Sequence, residues 1–576
     1  MRKKILQAVV VAFGIWGSAF TVSAVSDSGI ESTMLQEQSI ETEKPGEGGE
    51  TSKPETGWIE SEEGWQYKDE NGNLVKDSWL EIEGERYYFD KDGYRASYWL
   101  DINGQYYWLG ADGAMRTSWQ QIDGAWYYLG NDGVMQTDWI APGNGYWYYM
   151  GSNGAMQTGW ISPGDGYWYY ADENGGMQTG WIAPGNGYWY YMGSNGAMQT
   201  GWISPGDGYW YYADENGGMQ TGWIAPGNGY WYYMGSNGAM QTGWISPGDG
   251  YWYYADENGG MQTGWIAPGN GYWYYMGSNG AMQTGWISPG DGYWYYADEN
   301  GGMQTGWIAP GNGYWYYMGS NGAMQTGWIS PGDGYWYYAD ENGGMQTGWI
   351  LTGENNWYYA YKSGTIAVNT WEKKDGYWYW FDESGLMAQG WKYIGRYKYY
   401  FNNSGHLLQD LDGVLGRQSS YEVTINRKRC QVTVYAKDGS NGYIIPAKTF
   451  TCSVGLSSTP TPTGTFYTPD KYRWHTLMGP SYGQYCTRIN GGILFHSVAG
   501  YNMTSYNIRA RDYNKLGSPA SHGCVRLTVR DAKWIYDNCK LGTKVTISDY
   551  AATPFDKPAT IKIPASQNWD PTDPNI

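Results

Sequence analysis

The segment Ser518–Leu527 contains the residue types of a thiol nucleophile. Cys524 supplies the sulfur, which becomes reactive as a thiolate. A neighbouring base can remove the thiol proton, and a neighbouring cation lowers the pKa of the thiol. His522 and Arg526 stand two residues to either side of it. Gly523 frees the backbone, so that adjacent amide N–H groups can receive the negatively charged oxygen of an acyl-transfer intermediate. The segment therefore predicts acyl transfer by a cysteine.

An upstream histidine strengthens this prediction. The run 521–524, Ser-His-Gly-Cys, together with His496 in the stretch 493–497, resembles the L,D-transpeptidase family of the YkuD type. The stretch 462–466, Pro-Thr-Gly-Thr-Phe, is also similar to that family. The resemblance covers about residues 421–548. It implies a catalytic domain that needs no metal ion or other cofactor.

The resemblance implies a role for each residue of the motif. Cys524 is the nucleophile, and His496 is the general base and acid, with its ring oriented by the backbone carbonyl of Ser497. Amide N–H groups for the oxyanion come from three consecutive residues: His522, Gly523 and Cys524. Arg526 positions the peptide or braces the loop. His522 is a competing candidate for the base because it is close to the nucleophile, but in the family it mainly shapes the oxyanion loop.

The segment between base and nucleophile is longer than in the short family pattern. His496 lies 28 residues before Cys524. The extra residues, around Ala499–Lys515, are expected to form a lid or a substrate-facing loop. His475 and His406 lack a comparable sequence context, and we expect them to be structural or exposed.

The implied reaction is peptidoglycan cross-linking. Cys524 would attack the carbonyl of the third residue, a diamino acid, of a tetrapeptide stem and expel the terminal D-Ala. An amine of a neighbouring stem would then take the thioester and give a 3→3 cross-link. Attack by water would make the same site an L,D-carboxypeptidase. A wall-bound adhesin or lectin with an idle C-terminal domain would leave Cys524 unreactive, whereas an enzyme should carry a thiolate of low pKa.

The sequence around the motif predicts a β-rich domain at 420–549 with short helices. The alternating runs 431–435 and 544–547 predict strands, and Val529–Asn538 predicts a helix with three side chains on one face: Ala532, Ile535 and Tyr536. All five cysteines lie in this domain. The four besides Cys524 would form two disulfides in an exported protein or stay buried as free thiols: Cys430, Cys452, Cys486 and Cys539.

Internal repeats occupy most of the remaining chain. Seventeen units begin with Trp at spacings of 20 to 22 residues, from Trp58 to Trp391, and between 139 and 348 two 21-residue sequences alternate unchanged. Each contains a Tyr-Trp-Tyr-Tyr run, an Asn-Gly or Gly-Gly turn and a second short stretch, which together predict a β-hairpin. Because a single hairpin is marginally stable in water, the units at 57–413 are expected to stack into a solenoid.

These units resemble the choline-binding or cell-wall-binding repeats, over residues 58 to about 412. The resemblance implies aromatic cages between consecutive hairpins that hold a quaternary ammonium group. One cage is expected from Trp160, Trp168 and Trp181 with Met177 nearby, and another from Trp139, Trp147 and Trp160. Related repeats bind glucans or other wall sugars, so the partner is a choline-bearing or carbohydrate wall polymer. Most of the Tyr side chains are expected to form the solenoid core.

The composition excludes several classes of protein. Aromatic residues make up 18% of the 576 residues, too many for a disordered chain, and glycine lacks the triplet period of collagen. Residues 1–414 contain 17 basic and 46 acidic residues (−29), and residues 415–576 contain 19 and 10 (+9). The acidic part repels nucleic acid and the basic part carries no nucleic-acid motif, so we expect no nucleic-acid partner.

The N-terminal sequence predicts export. A basic start, an apolar run at 5–20 and small residues near Ala24 are typical of a signal peptide at 1–24, and the apolar run is too short to span a bilayer. Residues 25–56 are expected to be a disordered linker and 550–576 an extended tail. We expect a mainly β protein without a transmembrane segment, secreted and held non-covalently on the wall of a Gram-positive bacterium.

Overall fold

The computed structural model describes residues 55–576, so the expected signal peptide and nearly all of the expected linker lie outside the described residues. The described chain divides into two compact units. One contains the residues up to Gly187 together with Tyr191–Met198, and the other contains Tyr188–Tyr190 together with Gln199–Ile576. Hairpin repeats occur in both, and the C-terminal domain belongs to the second. No helix among residues 55–576 is both long and apolar enough to cross a membrane.

The protein is mainly β, as predicted, and the repeats form two-stranded sheets. The strand pairs are Gly57–Ser61 with Gly64–Lys68, Ser78–Ile82 with Glu85–Phe89, Tyr98–Ile102 with Gln105–Leu109, Ser118–Ile122 with Ala125–Leu129, Asp138–Ile140 with Tyr148–Met150, Gly159–Ile161 with Tyr169–Ala171, Gly180–Ile182 with Tyr190–Met192, Gly201–Ile203 with Tyr211–Ala213, Gly222–Ile224 with Tyr232–Met234, Gly243–Ile245 with Tyr253–Ala255, Gly264–Ile266 with Tyr274–Met276, Gly285–Ile287 with Tyr295–Ala297, Gly306–Ile308 with Tyr316–Met318, Gly327–Ile329 with Tyr337–Ala339, Gly348–Thr352 with Asn356–Ala360, Thr370–Lys374 with Tyr377–Phe381 and Gly390–Ile394 with Tyr397–Phe401. The pairing is antiparallel, for example between Trp58 and Tyr67, between Trp244 and Tyr254, and between Trp391 and Tyr400.

The strand pairing within a unit differs from the one that the turns predict. In the unit that begins at Trp244, the strand Gly243–Ile245 pairs with Tyr253–Ala255, so the hairpin loop precedes the Tyr-Tyr pair. The Gly-Gly turn that follows makes only an isolated bridge between Ala255 and Met261. The reason is that the second short stretch contacts the preceding hairpin, where the Met261 amide donates to the Trp231 carbonyl (2.8 Å).

Within each compact unit, neighbouring hairpins bury one another's side chains, which confirms the predicted stacking. A typical cluster contains Ile245, Tyr253 and Ala255 from one unit, Ala281 from the next and Trp223 from the preceding one. A two-stranded ribbon has no inner face of its own, so only stacking removes these side chains from water.

The C-terminal domain contains nine strands in two sheets. They are β1 Tyr421–Asn426, β2 Gln431–Ala436, β3 Ile445–Thr451, β4 Gly464–Tyr467, β5 Lys471–Thr476, β6 Tyr482–Asn490, β7 Ile493–Ser497, β8 Val525–Leu527 and β9 Lys544–Ser548. One sheet has the order β3-β2-β1-β9-β4 and the other the order β5-β6-β7-β8. The β1–β9 and β7–β8 pairs are parallel. The strands predicted at 431–435 and 544–547 are confirmed.

Short helices complete the domain. They are α1 Asp412–Leu415, a 3₁₀ turn at Gly439–Asn441, α2 Ala510–Tyr513 and α3 Val529–Asn538. Helix α3 has the predicted bounds, and Thr528 caps its first turn by accepting from the Asp531 amide (3.2 Å). Ala532 and Ile535 are fully buried in the core between α3 and the sheets.

The segment after β9 is packed rather than free. Residues 549–576 contain no helix or strand, yet four of their side chains are buried: Phe555, Ile563, Asp570 and Asp573. Asp570 accepts from the Val529 amide (2.7 Å) at the start of α3, and Asp573 accepts from Gln484 (2.9 Å). The expected extended tail is therefore an integral layer of the domain, because its polar and apolar residues meet complementary partners.

The cysteines are free thiols. Four of them are buried: Cys430, Cys452, Cys486 and Cys539. Of the two alternatives left open by the sequence, the structure gives buried thiols and not two disulfides.

Glycine is required in the repeats where a turn meets the methionine of the preceding unit. Gly405 has φ of +77°, and a Cβ atom there would overlap Met387 Sδ, whereas Gly376 has φ of +87° with open space around it. We expect Gly405→Ala to lower local stability more than Gly376→Ala, by roughly 1–3 kcal/mol, because only the former adds overpacking to backbone strain. Hydrogen exchange of the unique peptides in 377–410 measures this difference, and equal effects would contradict it.

Candidate functional site

The four-stranded sheet brings four of the six predicted catalytic residues to one cavity: His496, His522, Cys524 and Arg526. His496 on β7 is paired in parallel register with Arg526 on β8, and Cys524 immediately precedes β8. The cavity has a volume of about 320 Å³. It is lined by His475, Thr476, Leu477, Met478, Ser481, Arg488, Gly492, Leu494, His496, Ala499, Ser521, His522, Cys524 and Arg526.

Hydrogen bonds with Val454 and Thr461 hold the loop that carries the nucleophile in place. The amides of Ala520 and Ser521 both donate to the Val454 carbonyl (2.9 and 3.1 Å), and Thr461 Oγ1 donates to the Gly523 carbonyl (2.8 Å). Gly523 has φ of +111°, and a Cβ atom there would lie 2.8 Å from Ile493 Cδ1. The positive φ therefore favours glycine at this turn, and an added Cβ would also displace the end of the Ile493 side chain.

Cys524 is held as a neutral thiol. Burial raises its pKa, and this outweighs the opposite effects of the Leu494 backbone, Arg526 and Arg488. Its sulfur donates to the Gly492 carbonyl (3.4 Å). The expectation of a low-pKa thiolate is therefore wrong for this geometry, and the thiol needs a base when it reacts.

His496 has the properties of that base. It is 2% exposed, and burial lowers its pKa to about 4, although the Ser497 backbone acts in the opposite direction. Its Nδ1 lies 2.5 Å from the Ser497 carbonyl oxygen, as the resemblance implied. Because that oxygen can only accept, Nδ1 carries the proton of the neutral ring, and Nε2 keeps a free electron pair.

Of the three residues expected to stabilise the oxyanion, only two line the cavity. His522 and Cys524 line the cavity, whereas Gly523 is absent from its lining. The Gly523 amide donates instead to Ser521 Oγ (3.3 Å), whose hydroxyl in turn donates to the Cys524 carbonyl (2.5 Å). The amides of His522 and Cys524 are therefore better placed than that of Gly523 to reach a reacting oxygen.

The cavity is electropositive. Its lining contains Arg488 and Arg526 and no carboxylate. Arg488 is neutralised by Asp470, whose carboxylate lies 2.9 Å from Nε. Burial lowers the pKa of Arg526, and its Nε is buried without a hydrogen-bond partner. A buried donor without a partner favours an incoming anion.

The repeats form a second kind of pocket. One, of about 380 Å³, is lined by Trp244, Trp252, Tyr274, Met282, Glu299 and Asn300. Another, of about 400 Å³, is lined by Trp349, Trp357, Tyr379, Met387, Asn403 and Ser404. In both, two Trp come from one hairpin, Tyr and Met come from the next unit, and the polar rim comes from the unit after that.

The cage predicted around Trp139 has a different third member. Trp139 contacts Tyr169 (ring centroids 4.9 Å apart), and Met177 packs beside Trp139 and donates its amide to the Trp147 carbonyl (2.8 Å). Met177 therefore belongs with Trp139 and Trp147, not with the cage predicted around Trp160. The next hairpin presents tyrosine to the pocket because its Trp is paired across its own strands.

The Trp side chains assigned as third members contact aromatic residues of their own hairpins. Trp160 contacts Trp168 (6.4 Å between ring centroids) and Tyr170 (5.3 Å), and Trp181 contacts Tyr191 (5.1 Å). The equivalent Trp265 is likewise absent from the lining of the pocket at Trp244. Trp147 and Trp168 are about half exposed, so their faces remain accessible.

Comparison with known proteins identifies the family of the C-terminal domain. Residues 420–547 match the L,D-transpeptidase catalytic domain model. The chain is 39% identical over 140 residues to YciB of Bacillus subtilis (strain 168), whose name assigns it provisionally to the L,D-transpeptidases. The match covers 23% of this chain and 68% of YciB.

The chain belongs to the L,D-transpeptidase family.

The region before the transpeptidase domain matches repeat families. Residues 116–156 match a choline-binding repeat, and fourteen further ranges between 77 and 407 match a cell wall binding repeat. Solved structures similar to this chain include CbpJ of Streptococcus pneumoniae TIGR4, 36% identical with a TM-score of 0.25, covering 51% of this chain and all of that one. Choline binding protein F of Streptococcus pneumoniae is 34% identical with a TM-score of 0.29, covering 51% of this chain and 98% of that one.

The sequence analysis missed one histidine of the transpeptidase cavity and an irregular strand beside it. His475, expected to be structural or exposed, lines the cavity, and its Nε2 lies 3.3 Å from Arg488 Nη2. Tyr485 has φ of +49° and interrupts the alternation of β6, so that Gly483 and Cys486 face the same side as His496. The alternation of polar and apolar residues therefore gave no usable signal for this strand. His406 stacks on Tyr377 in the repeats (3.8 Å), which agrees with a structural role.

The inserted segment of the transpeptidase domain is anchored. Gly500 is paired with Tyr482 through both backbone hydrogen bonds (2.9 Å each), and Ile508 and Tyr513 are buried with Val498. Within Ala499–Lys515 only Ala499 lines the cavity. The segment therefore faces the cavity at its first residue, and its exposed aromatic tip lies away from the lining.

The burial of His496 predicts a pH-dependent stability of the transpeptidase domain. Between the folded-state pKa of about 4 and the ordinary value of 6.5, the unfolded chain binds a proton that the folded domain does not. Stability should therefore fall as pH drops through this window, by about 3 kcal/mol. The free energy of unfolding is measured by urea titration at about pH 4.5 and about pH 7.5. The unfolded fraction is determined at each urea concentration by pulsed hydrogen exchange of the α3 peptide. The His496→Asn variant should lose this part of the dependence, and an unchanged dependence would contradict the assignment.

Proposed function

We propose that this protein is a secreted peptidoglycan L,D-transpeptidase that forms 3→3 cross-links through a Cys524 thioester. The repeats hold it non-covalently on the cell wall of a Gram-positive bacterium. The observation that carries the proposal is a single cavity lined by a cysteine, a buried neutral histidine and an arginine with an unpaired Nε. The sequence of residues 1–24 supports export.

Acylation begins with proton transfer from the thiol. His496 Nε2 takes the proton of Cys524 as the sulfur attacks the carbonyl of the third stem residue. The C–S bond forms, and the resulting oxyanion accepts from the amides of His522 and Cys524. The C–N bond to the terminal D-Ala then breaks, and His496 returns the proton to the leaving amine. Arg526 favours the transient thiolate by its charge.

Transfer reverses the same steps. The side-chain amine of a second stem attacks the thioester, His496 takes a proton from that amine, and the C–S bond breaks. The thiolate is reprotonated, which restores the neutral pair. Attack by water in place of the amine releases a tripeptide stem and constitutes the carboxypeptidase activity.

Arg526 fits the carboxylate of the departing D-Ala. Its guanidinium is buried beside the nucleophile, and its unpaired Nε leaves one donor available. A substrate carboxylate accepts a hydrogen bond from that donor. This places the scissile carbonyl next to the sulfur of Cys524, two residues before Arg526. Arg488 already has Asp470 as its partner, so it contributes less to binding.

The repeat pockets fit a quaternary ammonium group. Each offers two Trp faces, a Tyr and a Met, and the pocket at Trp244 adds the carboxylate of Glu299 at its rim. Each single contact is weak, but many pockets on one chain and many ligands on one polymer give avidity. Wall sugars that stack on the same aromatic faces are the second candidate.

Product analysis tests the enzyme. The full chain is incubated with a disaccharide-tetrapeptide beside Cys524→Ala and His496→Ala, with Cys539→Ala, a buried thiol outside the cavity, as the matched control. We expect a cross-linked dimer lacking one D-Ala in wild type and control. It should be undetectable in Cys524→Ala and reduced by about 10²–10⁴-fold in His496→Ala.

Three other results would change the proposal. A tripeptide product alone identifies a carboxypeptidase. No product in wild type favours a wall-bound adhesin or lectin. A wild-type level of dimer in Cys524→Ala excludes the thioester.

Ligand elution tests the array. We expect the full chain to bind a choline resin and to be released by free choline, because the charge interacts with the aromatic faces. The isosteric neutral alcohol 3,3-dimethylbutanol should release much less. Equal release by both compounds would argue against recognition of the charge, and retention on glucan or purified wall with no retention on choline would identify a sugar ligand.

A further inference from the structure

The last aromatic pocket of the array differs from the others. It is formed by Trp371, Trp378, Tyr399 and Leu407, with Trp371 6.4 Å from Trp378 and 5.1 Å from Tyr399 between ring centroids. The pocket at Trp349 has nearly the same spacings, 6.2 Å to Trp357 and 4.8 Å to Tyr379. No further unit follows to supply its rim.

The C-terminal segment supplies that missing rim. Phe555 is 4% exposed and packs with Tyr399 and Leu407. The neighbouring Asp556 carboxylate accepts from Trp378 Nε1 (2.8 Å) and from Lys373 Nζ (2.6 Å). An aromatic ring and a carboxylate from the same chain therefore complete the site where the other pockets are completed by an adjacent repeat.

The charged groups at this pocket also differ from those at Trp244. Lys373 Nζ lies over a face of Trp378, 5.5 Å from its ring centroid, and Arg429 is part of the pocket lining. The pocket at Trp244 instead has Glu299 at its rim and no lysine or arginine in its lining. An incoming cation would be repelled by Arg429, since Asp556 is already paired with Lys373, and it would have to displace Phe555.

We propose that the pocket of Trp371, Trp378, Tyr399 and Leu407 is a binding site for this protein's own C-terminal segment, and that it takes no wall ligand. The bound segment acts as a strap between the array and the transpeptidase domain. Phe555 and Asp556 are its anchor in the pocket.

The strap continues onto the transpeptidase domain. The Phe555 carbonyl accepts from Gln431 Nε2 (2.9 Å) on β2, and the Pro558 carbonyl accepts from Thr451 Oγ1 (2.5 Å) on β3. Further along, Ile563 is buried with Val498, two residues beyond His496. One continuous segment therefore contacts both the last aromatic pocket and the cluster that begins directly after the strand of the proposed base.

Hydrogen exchange in the full chain tests the strap, because the peptides around Trp357, around Trp378 and over 553–563 are unique in sequence. Two variants are compared with wild type. Asp556→Asn removes the charge of a half-exposed side chain without changing its size, and the double variant Phe555→Ala/Asp556→Asn also removes the aromatic ring. Asp438→Asn is the matched control, because Asp438 joins Lys398 of the last hairpin to the same domain (2.8 Å) away from the pocket. We expect roughly tenfold faster exchange at Trp378 and 553–563 in the double variant, a smaller change in the same direction in Asp556→Asn, and none there in the control.

Added choline distinguishes the strap from the array's own binding. In wild type we expect protection around Trp357 and none around Trp378, and in the double variant protection around both. Protection around Trp378 in wild type, or unchanged exchange at 553–563 in both variants, would overturn the strap. If choline protects no peptide in any variant, the ligand proposed for the array fails, and the exchange at 553–563 still decides the strap.

Discussion

The catalytic half of this protein depends on the burial of one imidazole beside a backbone carbonyl. His496 is enclosed because β7 has a neighbour on each side, and the Ser497 carbonyl fixes which nitrogen keeps the proton. The same burial keeps both the ring and the Cys524 thiol neutral. Charge therefore appears only when the proton moves, and Arg526 then favours the thiolate while it disfavours the imidazolium. This balance would keep the ion pair short-lived until substrate is present.

The array rests on a different constraint, since no hairpin encloses a core. Its pockets combine two Trp from one unit, Tyr and Met from the next, and a rim from a third, as at Trp244, Tyr274 and Glu299. The contacts that stabilise the stack are thus the contacts that shape the pockets. At the C-terminal end this arrangement lacks a third unit, and Phe555 and Asp556 take its place. The end of the array and the transpeptidase domain therefore share one set of interactions.

Local patterns in the sequence predicted that each repeat forms a hairpin, though not which strands pair, and they predicted helix α3 and the strands at 431 and 544. The family resemblance supplied the contact between His496 and Ser497. What they could not predict depends on long-range geometry. Which residue completes a cage follows from the stacking register, seen in the bond from Met177 to the Trp147 carbonyl. The place of His475 in the cavity depends on the pairing of β5 with β6, in which Tyr485 adopts a left-handed backbone conformation. The raised pKa of Cys524 is a consequence of burial, which a motif does not encode.

Each repeat forms a hydrogen bond with the preceding repeat, and this regularity affects how the chain can change in length. The amide of Met261 bonds to Trp231, and that of Met303 to Trp273, by the same 2.8 Å contact 42 residues apart. Inserting or removing one 42-residue pair therefore recreates every interface that it interrupts, and no compensating substitution is needed. Only the two ends carry unique contacts. Unequal recombination within the identical tract would thus yield folded proteins of graded length, with different numbers of repeats before the same transpeptidase domain.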